Sequence, residues 1–91
     1  MNRPEIAPDL TFPDLDSAES ALDWIGVAFV EGQDVAGGWF AGELDEEAIE
    51  LIDAALDDVD VPPGVRVLAT VLRGRWNDDT LPKGWCVTFP A

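Results

Sequence analysis

Residues 62–72, PPGVRVLATVL, decide the fold. Within them 65–72 (VRVLATVL) is β-branched enough to form a strand, with Pro62, Pro63 and Gly64 turning the chain before it. The same letters also fit a helix, since Val65, Leu68, Ala69 and Leu72 recur at three- and four-residue steps and Pro-Pro can open a helix. Residues 85–89 (WCVTF) read as a strand, and a terminal strand needs a partner. Residues 65–72 offer the best one, joined to it through 73–84 as an antiparallel pair. The resulting expectation is an α+β fold, with two helices (about 17–31 and 45–57) packed on a small antiparallel sheet that includes 65–72 and 85–89. A small all-α bundle is the alternative.

Immediately upstream, residues 43–60 read ELDEEAIELIDAALDDVD, with nine carboxylates and no basic residue. Ile49, Ile52, Ala55 and Leu56, with Ala48 beside them, recur at helical steps on one face. Glu46, Glu50, Asp53 and Asp57 recur at the same steps on the opposite face. Asp45 is placed to cap this helix, and Glu46 and Glu47 suit the positive end of its dipole. The other features of the segment work against it. Like charges four apart cost roughly 0.2–0.5 kcal/mol per pair, and Asp57 and Asp58 lie at the negative end of the dipole. A ladder of carboxylates maintained against those costs points to an anionic working surface.

Further towards the N-terminus, Asp16 and Glu19 have capping-box spacing, and Ala18, Ala21, Leu22, Ile25, Ala28 and Phe29 follow a helical period with Gly32 as its stop. Residues 24–30 (WIGVAFV) compete as a strand, because Gly26 weakens a helix by about 1 kcal/mol. Residues 35–42 (VAGGWFAG) place three glycines around Trp39 and Phe40 and predict a loop or a short, bent strand. Residues 1–15 contain Pro4, Pro8 and Pro13 and predict an extended segment, pinned by Leu10, Phe12 and Leu15 and able to add a short edge strand. No linker or repeat divides residues 1–91, so a single acidic domain is expected.

The 91 residues carry a formal charge of −14, and residues 4–65 contain no Lys or Arg. Arg66, Arg73, Arg75 and Lys83 fall in the remainder, against Asp78 and Asp79. Such a charge repels nucleic acid and anionic lipid and steers the chain towards a basic partner. At 47% apolar residues, with four Trp and four Phe, the chain is too hydrophobic to be disordered. Cys86 is the only cysteine, which excludes an intramolecular disulfide and suits a reducing compartment. No apolar run approaches the ~20 residues that span a bilayer, and no signal-peptide core opens the chain. A cytoplasmic protein is expected, in the host cytoplasm if it is phage-encoded.

Catalysis finds little to work with. There is no His, no Tyr, one Lys and one Cys, so no tuned acid–base or nucleophile set is legible, and no cofactor is implied. Asp57, Asp58 and Asp60, or Asn77, Asp78 and Asp79, supply oxygen ligands, but neither group has the calcium-loop spacing, so no metal is expected. The acidic helix is different. Its carboxylates climb at about 1.5 Å per residue, giving charges about 5–6 Å apart, and so resemble a row of backbone phosphates. A site built to clamp phosphates with Arg and Lys would meet a similar pattern here.

The expected function is therefore a non-enzymatic inhibitor of a basic, nucleic-acid-binding partner. Glu46, Glu50, Asp53 and Asp57 would form the contact row, flanked by Glu43, Glu47, Asp58 and Asp60. In composition, though in no motif, the chain resembles anti-CRISPR proteins and other inhibitors carried by phages and mobile elements. Three alternatives stand beside it: a protein–protein interaction module (an immunity or accessory subunit) anchored by Trp39 and Phe40, acidity that reflects only solubility or salt adaptation, and a homodimer pairing the acidic and basic regions of two copies. Trp76 beside Arg75 reads as a recognition patch or a packing contact, and Cys86 as a small buried apolar residue.

Overall fold

The structure, a computed structural model, describes residues 5–90. It is an α+β fold in the order β1 (Leu10–Thr11), α1 (Leu15–Ile25), β2 (Val30–Asp34), β3 (Gly37–Glu43), α2 (Glu46–Asp57), α3 (Pro63–Asn77), β4 (Gly84–Pro90). The strands form one sheet in the order β1-β4-β3-β2. Only the β1–β4 pair is parallel, so the sheet is mixed. Three helices rather than two cover it.

The segment 65–72 is helical, not a strand, and belongs to α3. Burial decides between its two periods. As a strand it would alternate Arg66 and Thr70 with Leu68 and Leu72 on one face, whereas the helix gathers Val65, Leu68, Ala69 and Leu72 into a wholly buried stripe. Pro63 in the first turn costs little there, because the N–H that proline lacks would have no intrahelical acceptor at that position.

The partner of β4 is instead β3, the glycine-rich segment expected to loop or bend. Its seven residues pair antiparallel with β4 from Gly37↔Pro90 to Glu43↔Gly84. The glycines serve close packing. Two of them, and Gly32 of β2, stand directly across from an aromatic residue on the next strand: Gly38 opposite Phe89, Gly42 opposite Trp85, and Gly32 opposite Trp39. In each case the ring lies in the space that a Cβ would fill. Rings laid over glycines recover the contact area that glycine itself lacks.

The acidic helix forms nearly as its sequence predicts. Asp45 is the N-cap and accepts the Ala48 N–H at 2.7 Å, while Ala48, Ile49, Ile52 and Ala55 are buried. Helix α1 spans Leu15–Ile25 rather than 17–31. Its cap is Asp14, which accepts the Ser17 N–H at 2.7 Å, so the expected Asp16/Glu19 box is not the start. Its end is Gly26, not Gly32. Gly26 takes φ +83°, a left-handed conformation that a side chain would resist, and donates its N–H to the Leu22 carbonyl. Phe29 lies in the connection that follows and packs edge-on against Phe40 at 4.8 Å.

The helices bury their stripes on one sheet face, where Phe40, Trp85, Val87 and Phe89 complete the main core. Phe12 joins that core, whereas Leu15 is exposed. On the opposite face Trp39, Ala41 and Cys86 form a smaller cluster with Ile6 packed over it. Of the predicted extended segment, Leu10–Thr11 form β1 at the sheet edge, the remaining described residues include several bends, and Leu15 already belongs to α1; residues 1–4 lie outside the described residues. Asp9 fixes this segment by accepting the Cys86 N–H at 3.0 Å and pairing with Arg75.

Candidate functional site

The carboxylate row of α2 is assembled by the burial of the opposite stripe. Glu46, Glu50 and Asp57 are exposed and share one flank of the helix, with Glu47 beside them. Glu46 to Asp57 spans about 16 Å at 1.5 Å per residue. Asp53 departs from the expectation. It leans towards α3 and pairs with Arg73 at 3.1 Å, half-buried, so among the described residues three members of the row rather than four are without an ion pair. Glu43 at the end of β3 and Asp58 and Asp60 beyond the helix are also exposed, and they extend the negative surface at both ends.

The cations of the C-terminal region are all engaged within the fold. Arg66 donates at 3.3 Å to the carbonyls of Leu56 and Asp58, at the C-terminus of α2. A guanidinium there opposes the unfavourable placement of Asp57 and Asp58 on the helix dipole. Arg73 holds Asp53, and Arg75 holds Asp9 through Nε at 2.7 Å and through a second nitrogen. Lys83 Nζ caps α3, donating to the carbonyls of Arg75, Trp76 and Asp78 at 3.3, 2.7 and 3.1 Å. Lys83 also stands 5.5 Å over the Trp76 ring, so Trp76 is a packing residue between the core and this cap. Each of these four cations thus has a bonding partner within its own chain.

Trp39 and Phe40 are buried, at 6% and 1% exposure, on opposite faces of the sheet. Neither stands in the anionic surface. Among the described residues Trp24 is the most exposed aromatic, at 45%, with Phe29 at 36%. Sequence reasoning passed over it as a helix or strand former, although its position off the buried α1 stripe of Ala18, Ala21, Leu22 and Ile25 was the available signal.

Comparison with protein-family models, with curated proteins and with solved structures finds no significant match to this chain.

The two acidic clusters outside the row shape turns. Asp58 accepts the Asp60 N–H at 2.9 Å, and Asp78 accepts both the Thr80 N–H and the Thr80 hydroxyl. The hydroxyl bond, then the backbone bond, holds the Asp78 carboxyl below its ordinary pKa, and the Ser17 backbone bond does the same for Asp14. Among the described residues no group of three or more carboxylates or thiols is gathered as a metal site. Cys86 is buried beneath Ile6 as a small apolar residue. No helix of the described residues is long and apolar enough to cross a membrane.

Proposed function

We propose that the protein is a non-enzymatic binding protein that inhibits a basic, nucleic-acid-binding partner through a phosphate-like row of carboxylates. One observation carries the reading: the four cations from Arg66 to Lys83 are bonded inside the fold, and among the described residues none of them pairs with the carboxylates of Glu46, Glu50 or Asp57. A fixed row of like charges pays part of the cost of ordering in advance, as a partner's Arg and Lys side chains need. Asp53 serves the α2–α3 contact instead, with Glu43, Glu47, Asp58 and Asp60 as flanking charge. The functional type is that of inhibitors carried by phages and mobile elements, anti-CRISPR proteins among them, acting in the cytoplasm where such a partner works. Trp39 and Phe40 are buried, and this reading does not use them as an anchor.

The test is the triple variant E46K/E50K/D57K, which spares Asp53 and every buried residue. Parent and variant serve as baits for affinity capture from a lysate of the source organism or its host, eluted in salt steps. The parent is expected to hold a nucleic-acid-binding protein that moderate salt releases, and the variant to lose it. Equal capture of that protein by both baits refutes the proposal.

A further inference from the structure

We infer that the groove between α1 and the first turn of α3 is the anchoring site for the basic partner, and that it takes a segment in which a large apolar side chain is flanked by Lys or Arg. The inference rests on the reading that the partner is basic, and adds to the α2 row a second contact of different chemistry.

The groove encloses about 500 Å³. Its floor and walls are apolar, formed by Phe12, Pro13, Ala21, Trp24, Pro62 and Val65. Trp24 is 45% exposed, while Trp39 and Trp85 are buried and Trp76 is packed against the core. Aromatic residues that are half-open in a rigid setting supply binding hot spots more often than other types. Both walls are rigid, because each belongs to a helix whose other face lies in the core.

Charge selects the occupant. Asp14 and Asp16 line one edge, Asp23 is exposed beside Trp24, and Asp60 precedes the opposite wall. Among the described residues no Lys or Arg lines the groove. The Asp14 carboxyl accepts the Ser17 N–H at 2.7 Å, which holds its pKa below the ordinary aspartate value. An apolar cleft edged by Asp14 and Asp16 repels an acidic segment and favours an apolar side chain bracketed by cations. Ser17, Ser20 and Gly64 at the edges leave room for a backbone to approach closely.

The experiment titrates the intact ¹⁵N-labelled protein with a short synthetic amphipathic peptide bearing Leu on one face and Lys on the other. A Lys-Gly peptide of equal charge is the control. Shifts are expected at the Trp24 indole, Ser17, Ser20, Gly64 and Val65, with affinity falling about tenfold or more in W24A. The same shifts should persist in E46K/E50K/D57K, which separates this site from the α2 row. Shifts confined to the outward face of α2 and unchanged by W24A overturn the groove while leaving the α2 proposal standing. Equal binding of the Lys-Gly peptide at the groove, or no shift at Trp24 at all, also overturns it.

Discussion

Replacing Gly42 by Ala tests the packing on which β3 depends. A Cβ at this position would lie 2.6 Å from Trp85 Cζ2 and 2.7 Å from the Ala28 carbonyl oxygen. Neither neighbour can yield cheaply, because Trp85 is fully buried and the other atom is backbone. Overpacking of this kind costs about 1–3 kcal/mol, set against about 0.4–1 kcal/mol gained by restricting the unfolded chain. The net expectation is a loss of about 1–2 kcal/mol. Gly74→Ala is the matched control: a Cβ there meets nothing within 4 Å, and the position is interior to α3, so the variant should gain about 0.5–1 kcal/mol. Urea unfolding followed by tryptophan fluorescence reads both. With a slope of about 1 kcal/mol/M for a small domain, the midpoints should move in opposite directions, G42A down by about 1–2 M and G74A up by about 0.5–1 M. If G42A unfolds at or above the midpoint of the parent with an unchanged slope, the reasoning about ring-over-glycine packing is refuted.

Other expectations follow from the charged contacts. Arg75→Met leaves the Asp9 carboxylate buried without its cation and should cost about 3–5 kcal/mol in urea unfolding; a loss under about 0.5 kcal/mol would mean that the clamp on the N-terminal segment contributes little. Asp14 and Asp78 have folded-state pKa values below the ordinary 3.8 of an unfolded Asp, so the unfolded chain takes up their protons first as the pH falls. Their stabilisation is therefore present above about pH 4 and is lost as the pH drops through the lower folded values. Urea midpoints measured from about pH 5 to pH 2.5 should fall less steeply in D14A/D78A than in the parent, and parallel curves would exclude the effect.

What the sequence determined by itself is the part of the molecule governed by neighbours in the chain. The α+β class was legible, and so was α2, because its cap, its apolar period and the acids of its first turn act within a few residues of one another. The exposed Glu46, Glu50 and Asp57 followed from the same period. The ends of α1 were displaced, since Asp14 and Asp16 are both plausible caps and only the backbone geometry at Asp14 and Gly26 chooses between starts and stops.

Tertiary structure decided the rest, wherever two readings were locally balanced. Residues 65–72 satisfy both periods. They are helical because only the helix hides four apolar side chains together against α1 and α2. The glycine-rich β3 looks like a loop until rings from β4 fill the places of its missing side chains, and those rings lie more than forty residues away in the chain. The same distance problem hid the fate of the charges. That Asp53 is spent on Arg73, that Arg66 and Lys83 cap helices, and that Trp24 rather than Trp39 stands at the surface all depend on which elements meet, and pairwise contacts between distant residues leave no local pattern to read.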